Sequence, residues 1–210
     1  MCIRDSLYVG PGENIRGLLK ISYPINHGIV DDWMDMKAIW RHVYTELKAV
    51  SKEHAILLSE PCNNPKSNRT KLAETFFETY DVPALFVAQQ PILSLYAFGR
   101  TTGLVMESGD GVTQCVPIYE GYAIQNAIER VDLGGRDITN YFQLLLRRRG
   151  YNFTTSAEFE VVRTMKEITN ELAENKDSLE EVVKMDDKKS QPTPYYLPDG
   201  SSIQLASERF

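Results

Sequence analysis

The sequence has few cysteines, no long apolar run and no excess of positive charge. Only three of its 210 residues are cysteine, and Cys2, Cys62 and Cys115 are widely spaced. They match neither a disulfide framework nor a zinc-binding pattern, so we expect reduced thiols in the cytosol. Acidic residues outnumber Lys and Arg by 29 to 23, which gives a net charge of −6. That balance argues against nucleic acid or an anionic membrane as a partner.

The most apolar stretch, residues 83–98, is interrupted by Gln89, Gln90 and Pro91. A helix that spans a bilayer needs about 20 consecutive apolar residues, so the sequence predicts no membrane span. The first six residues also lack the apolar core of a signal peptide. What is present is an ordinary globular composition, with 42% hydrophobic and 25% charged residues.

The segment before Gly103 alternates apolar runs of strand length with runs of helical periodicity. Asp31 and Asp32 precede apolar residues that recur every three or four positions, which predicts a capped helix. Such alternation predicts an α/β layer on a mainly parallel sheet. The predicted elements are that helix, buried strands at 55–59 and 84–88, a second helix from Asn68 to Tyr80, and a short helix from Pro91 to Tyr96.

Three apolar runs joined by short turns follow Gly103 and predict a β-meander. Gly134 and Gly135 then interrupt the apolar pattern, and helical periodicity begins after them. The order strand–strand–strand–helix therefore replaces the earlier alternation. The three runs are 103–106, 112–118 and 122–131, and the helix is expected at 138–149.

The last predicted helix begins with the spacing of a capping box at Thr155 and Glu158. We expect it to run from Ser156 to about Glu174. The polar segment 174–194 that follows fits either a solvated loop or a partner-binding insertion, and the sequence leaves both open. The buried stripe of the helix is predicted at Val161, Met165, Ile168 and Leu172.

The stretch from Met106 to Thr113 joins two apolar runs through an acidic residue and a Gly-Asp-Gly turn. Gly109 and Gly111 allow positive φ, so successive N–H groups can converge on one point. Such a group of amides suits a phosphate, and an acid at a strand end, here Glu107, suits a hydrated Mg²⁺ ion. Turn statistics alone favour a plain hairpin, so these residues by themselves leave both interpretations open.

Several long segments occur in the order found in a known family. They are Tyr23–Val30, Tyr96–Gly103, Glu107–Thr113, Val116–Gly121 and Leu197–Gly200. Together they resemble the actin family, and the resemblance extends from about Tyr8 to Phe210. It implies the actin-like ATPase fold, an α/β fold built from a duplicated ribonuclease-H-like unit, with nucleotide between two lobes.

The resemblance begins and ends well inside the length of the family. We therefore expect an internal fragment, incomplete at both ends, that lacks two of the family's glycine-rich nucleotide loops. The expected parts are residues 1–20, a foreign head with a remnant of the outer part of lobe one; 21–98, the base of lobe one; 99–133, the start of the base of lobe two; and 134–210, its outer part.

The resemblance also implies ATP or ADP with Mg²⁺ as cofactors and assigns roles in hydrolysis. Gln90 corresponds to the glutamine that positions the attacking water. Glu107 stands where the family normally has aspartate, which holds the metal ion through water. Gln114 stands where most members have histidine, and glutamine cannot titrate near neutral pH. Because two positions depart from the pattern, we expect a weak ATPase in which binding outlasts turnover.

Further residues are implied contacts of the nucleotide. By the resemblance, the phosphates are held by Gly109, Asp110, Gly111 and Val112. Arg163, Lys166 and Glu167 form one charged face of the last predicted helix, at spacings i, i+3 and i+4. The family motif places that face beside the adenine and the ribose, whereas composition alone would favour a solvated face.

Within the family, four stretches resemble the centractins, the actin-related subunits of dynactin, more than the conventional actins. This implies self-association into a short filament in the cytoplasm and cytoskeleton, with dynactin subunits and dynein adaptors as partners. Two alternatives stay open: a divergent conventional actin with dynamic filaments, and a non-filamentous actin-related structural subunit. The four stretches are Gly17–Ile21, Val82–Val87, Gly150–Phe153 with Ala157–Glu160, and Tyr195–Gly200.

Overall fold

The computed structural model describes residues 20–172 and 193–209. These residues fall into two compact units, the first of which comprises residues 23–135. The predicted head and most of the polar segment 174–194 lie outside the described residues. The lobe boundaries predicted from the sequence stay a prediction.

Strands and helices alternate in the first part of the first unit, and antiparallel strands follow. The elements are β1 (Ile25–Asn26), β2 (Ile29–Val30), α1 (Trp33–Leu47), a 3-10 turn (Ser51–Glu53), β3 (Ile56–Glu60), α2 (Lys66–Glu74) with a π-helical turn (Thr75–Thr79), β4 (Leu85–Gln89), α3 (Gln90–Ala97), β5 (Gly103–Ser108), β6 (Thr113–Tyr119), β7 (Tyr122–Ala123), a 3-10 turn (Gln125–Ala127) and β8 (Glu129–Val131). The predicted order of elements is present, with several changed bounds.

The starts of the first two helices follow from local chemistry. Asp32 caps α1, because its carboxylate accepts the backbone N–H groups of Met34 and Asp35. α2 begins at Lys66, before the predicted start, because Pro65 already has a φ of −55° and leads directly into the helix.

β3 and β4 form a parallel pair whose carboxyl ends place Glu60 opposite Gln89. Only one face of this pair is buried, since Leu57 is 57% exposed and Phe86 is 65% exposed. The prediction of two buried strands is therefore wrong for their second face, because the described helices pack on one side. The buried face packs against a cluster formed by Trp40, Phe76, Tyr80 and Val82.

β5 and β6 are antiparallel, and their register places Glu107 opposite Gln114. The third predicted run, 122–131, is not one strand. The 3-10 turn divides it, because β7 and β8 pair with opposite ends of β6. The buried side of this sheet packs with α3 and the loop after β3 through Leu95, Val116, Ile118 and Cys62.

The second unit consists of two helices, one hairpin and a 3-10 turn among the described residues. Its elements are α4 (Gly135–Arg148), which begins in the first unit, α5 (Ser156–Thr169), β9 (Thr193–Tyr196), β10 (Ser202–Leu205) and the 3-10 turn (Ser207–Arg209). Its core contains Phe142, Leu146, Val162, Met165, Ile203 and Leu205. No helix in the described part of the chain is long and apolar enough to cross a bilayer.

α5 begins as predicted but ends earlier. The hydroxyl of Thr155 accepts the N–H of Glu158 at 3.2 Å, and the Glu158 carboxylate accepts the N–H of Thr155 at 2.8 Å. The helix ends at Thr169 rather than near Glu174, because Asn170 has extended backbone angles (φ −77°, ψ 142°).

The buried face of α5 is rotated from the predicted stripe. Ile168 is 68% exposed and Leu172 is 98% exposed, so both assignments are wrong. Leu172 lies beyond the last turn of the helix, where helical periodicity no longer places a side chain. The buried positions of the helix are Glu160, Val162, Met165 and Thr169.

Candidate functional site

Glu107, near the end of β5, is held by two neighbouring elements. The Nε2 of Gln114, on β6, donates to one of its carboxylate oxygens at 2.9 Å. The hydroxyl of Ser94, on α3, donates to the other. Hydrogen bonds to an ionised carboxylate are stronger than those between neutral groups, so this side chain is fixed in one orientation.

Gln114 is buried, with 4% of its surface exposed. Its Oε1 accepts the backbone N–H of Cys62 at 3.2 Å, while its Nε2 binds Glu107. Both ends of the amide thus have protein partners, as buried polar groups require. The contacts give Gln114 an orienting role toward Glu107, and its catalytic role stays a prediction.

Gln90 is the first residue of α3, is exposed, and directly follows the carboxyl end of β4. Ser94 lies four residues later on the same helix face, where Cβ atoms are about 5–6 Å apart. Because Ser94 binds Glu107, α3 brings Gln90 within one helical turn of a residue that contacts the acid. The sequence reasoning missed Ser94, although its spacing from Gln90 was a usable signal.

The Gly-Asp-Gly turn does not have the conformation expected from the sequence. Neither Gly109 nor Gly111 has a positive φ, so that prediction is wrong for both. Gly111 is needed for close approach instead, since a Cβ there would lie 3.0 Å from the Cα of His27. At Gly109 a Cβ would meet nothing nearer than the carbonyl oxygen of Val112, at 3.8 Å. Packing within the described chain therefore explains Gly111 but not Gly109.

Two other loops hold this turn in place. His27 and Gly28 join β1 to β2 with positive φ values of 45° and 75°, the signature of a tight hairpin turn. The Nδ1 of His27 lies 2.8 Å from the carbonyl oxygen of Gly111, so this nitrogen carries the proton and donates. The N–H of Gly135 donates to the carbonyl oxygen of Gly109 at 2.9 Å.

Arg130, on β8, joins two of the loops around the site. Its side chain is 9% exposed. One terminal nitrogen donates to the carbonyl oxygen of Cys62 and the other to that of His27, both at 2.7 Å. Its Nε donates to Asp132 at 2.9 Å. Sequence reasoning gave no signal for Arg130, because two of these partners lie 68 and 103 residues away along the chain.

The pKa of the Cys62 thiol is affected by the charged residues of the site. Burial raises the pKa of Cys62, the negative charge of Glu107 raises it further, and the positive charge of Arg130 opposes both. The thiol therefore stays protonated at neutral pH. Its backbone N–H and carbonyl groups, rather than its sulfur, contact the site.

Comparison with known proteins identifies the family of the chain. The family model described as Actin matches residues 3–210 of the chain. The chain belongs to the actin family. An "Actin-like protein" of Neurospora crassa is 52% identical over 214 residues, which cover 99% of this chain and 56% of that relative. The chain thus spans little more than half the length of this curated relative. The family match confirms the predicted actin-like fold class.

The turn fits the phosphate of an actin-family nucleotide. Within the described part of the chain, the N–H groups of Gly111 and Val112 make no hydrogen bond. A Cβ at Gly109 would make only an ordinary contact with the carbonyl oxygen of Val112, and an ionised Glu107 keeps free lone pairs besides the two in use. No three His, Cys, Asp or Glu side chains among the described residues could hold a metal ion together. Mg²⁺ usually keeps several of its waters in proteins, so Glu107 would hold such an ion through water.

The predicted adenosine contacts lie on α5, in the second unit. Arg163 pairs with the buried Glu160 at 3.2 Å and with Glu167 at 3.6 Å. Lys166 lies on the same helix, half-buried. The helix thus brings Arg163, Lys166 and Glu167 together, while the residues around Glu107 lie in the first unit.

Proposed function

We propose that this chain is part of an ATP-binding actin-related protein that forms a short filament. The four stretches that resemble centractins support dynactin as the assembly, with other dynactin subunits and dynein adaptors as partners in the cytoplasm. Self-association is the property that the family supports most directly. The alternatives are a divergent conventional actin and a non-filamentous structural subunit.

The observation that carries the proposal is the Glu107–Gln114 pair beside the Gly109–Val112 turn. The amides of Gly111 and Val112 would bind phosphate oxygens, and Glu107 would hold Mg²⁺ through water. Bound Mg-ATP would supply the phosphoryl group and the charge that neutralises it. Gln90, one turn from Ser94, would orient the attacking water, and Arg163, Lys166 and Glu167 would contact the adenosine.

Slow turnover follows from the same contacts. The Gln114 side chain is buried and bonded to Glu107 and to Cys62, so it would have to break a contact to turn toward a water. Glutamine also cannot accept a proton near neutral pH. A filament of such subunits would keep its nucleotide and stay assembled, which suits a structural filament better than a dynamic one.

Calorimetry on the full-length protein tests the binding site. We expect Asp110→Ala and Lys166→Ala each to weaken Mg-ATP binding, by roughly tenfold for a loss of about 1.4 kcal/mol. Lys66→Ala is the matched control, because Lys66 is an exposed cation on α2. Unchanged affinity in both Asp110→Ala and Lys166→Ala would reject the proposed site.

A further inference from the structure

Both ends of the Gly-Asp-Gly turn are bonded to one short segment, residues 133–135, which we call the backing segment. At the start of the turn, the carbonyl oxygen of Gly109 accepts the N–H of Gly135 at 2.9 Å. At its end, the Oγ1 of Thr113 lies 2.8 Å from the carbonyl oxygen of Leu133. The backing segment is therefore attached on either side of the residues that would bind phosphate.

The middle of the turn also lies against the backing segment. Gly134 is buried, and a Cβ on it would overlap the carbonyl group of Asp110 and lie 2.7 Å from the backbone nitrogen of Gly111. Non-bonded heavy atoms are most favourable at about 3.5–4.0 Å, so the absence of a side chain lets the two backbones lie this close. The backing segment thus contacts the turn at its start, its middle and its end.

The hydroxyl of Thr113 has a defined hydrogen-bonding direction. A carbonyl oxygen only accepts, so Thr113 donates its single proton to Leu133. The Oγ of Ser108 lies 2.9 Å from the Oγ1 of Thr113, and since that proton is used, Ser108 is the donor in this pair. Ser108 and Thr113 are directly opposite in the register of β5 and β6, where the two strands meet the turn. The two hydroxyls therefore tie the ends of the turn to each other and to the backing segment.

We infer that Thr113 is a positioning residue for the phosphate of the bound nucleotide, an inference that rests on the proposed function. The phosphate ligands would be the N–H groups of Gly111 and Val112. The hydroxyl of Thr113, one residue after Val112, holds the end of the turn against the backing segment and so fixes where these N–H groups lie. A turn that is fixed before the ligand arrives loses less conformational freedom on binding, and this preorganisation raises the affinity.

Calorimetric titration of the full-length protein with Mg-ATP tests this inference. Thr113→Val and Thr113→Ala each remove the hydroxyl, and both should weaken binding roughly fivefold, which corresponds to one hydrogen bond of about 1 kcal/mol. Thr113→Ser keeps the hydroxyl and should bind within about twofold of the wild type. Thr102→Val is the matched control, because the hydroxyl of Thr102 accepts the N–H of Glu120 at 3.0 Å beyond the other end of β5. This control should also bind within about twofold of the wild type.

Three results would overturn the inference while leaving the proposed function standing. Lower melting temperatures of Thr113→Val and Thr113→Ala with unchanged Mg-ATP affinity would mean that the hydroxyl stabilises the hairpin only. An equal loss of affinity in Thr113→Ser would mean that the hydroxyl is not the cause. An equal loss in Thr102→Val would mean that any weakening of the sheet has this effect. A wild-type protein that does not bind Mg-ATP would instead overturn the proposed function itself.

Discussion

Single residues at the candidate site are constrained by backbone contacts as much as by side chains. Gly111 and Gly109 occur in one turn, yet their surroundings differ. A Cβ at position 111 would press against the backbone of His27, whereas a Cβ at position 109 would make only an ordinary contact, 3.8 Å from the carbonyl oxygen of Val112. Close packing thus explains the glycine at 111, and we predict that the glycine at 109 admits the phosphate of the nucleotide.

These surroundings predict that one glycine-to-alanine substitution lowers stability and that the other weakens ATP binding. Gly111→Ala should lower the free energy of unfolding by about 1–3 kcal/mol, the usual cost of overpacking. Gly109→Ala should leave it within about 0.5 kcal/mol but weaken Mg-ATP binding, because its methyl group would occupy the phosphate approach. Urea unfolding and calorimetry on the full-length protein measure the two effects. Equal stability losses, or unchanged ATP affinity in Gly109→Ala, would contradict this account.

Among the elements, α5 has the most clearly defined start. Thr155 and Glu158 exchange hydrogen bonds with each other's backbone. The N–H groups of Thr155 and Thr154 lower the pKa of Glu158. A carboxyl whose pKa is lower in the folded state stabilises that state above its unfolded pKa. The contribution is lost as the pH falls through the lower, folded value.

The capping box predicts a pH-dependent effect. Thr155→Ala should lower the free energy of unfolding by about 1 kcal/mol. Glu158→Gln should be destabilising at neutral pH, and its difference from the wild type should shrink as the pH is lowered below the ordinary glutamate pKa of about 4.3. Urea unfolding at a series of pH values measures both. A Glu158→Gln effect that does not change with pH would show that the charge plays no part.

The starts of α1 and α5 could be predicted from the sequence, whereas the start of α2 and the end of α5 could not. Asp32 and Thr155 are recognisable in the sequence as N-cap residues, because their side-chain oxygens can accept the first N–H groups of a helix. The end of α5 depends on Asn170 leaving the helical conformation, and the apolar residues up to Leu172 gave no sign of it. The spacing of the apolar residues likewise does not predict the π-helical turn after α2.

At the scale of the whole molecule, one face of the β5–β8 sheet is apolar and exposed. Leu104, Met106 and Tyr122 are 67%, 73% and 80% exposed. The strand register puts them on the side opposite the buried Val116 and Ile118. Contiguous apolar surface of several hundred Å² is an interaction site or an aggregation liability.

The 210-residue chain produced alone should therefore self-associate and bind an apolar dye. Leu104→Lys combined with Met106→Lys should reduce both effects, because charges on this face oppose association. Met34→Lys is the matched control, since Met34 is 78% exposed on α1. Sedimentation velocity measures the association. A monomeric wild-type chain, or an equal effect of Met34→Lys, would contradict the assignment.

Long-range contacts account for what the sequence could not reveal about the site. Resemblance identified Glu107, Gln114 and the turn, but not that the two side chains bind each other. That contact depends on the β5–β6 register. Arg130 connects loops far apart in the chain, and no local pattern predicts such a partner. The family thus supplied the candidate residues, and the fold supplied the contacts between them.

The central claim is that Glu107 and Gln114 slow phosphoryl transfer without preventing binding. Glu107→Asp withdraws the carboxylate by roughly 1.5 Å, the length of one C–C bond, away from Ser94 and Gln114. Gln114→His restores a group that titrates near neutral pH. A missing acid–base or water-orienting group commonly costs 10²–10⁴ in rate, and we expect a smaller cost because Gln90 remains.

Single-turnover phosphate release from assembled filaments of the full-length protein measures this directly. Wild type, Glu107→Asp, Gln114→His and the double variant are compared, with Gln125→His as the matched control because Gln125 is an exposed glutamine outside the site. We predict a faster rate in each single variant, a rise of about tenfold or more in the double variant, and no change in the control. Unchanged rates in all three site variants would contradict the claim.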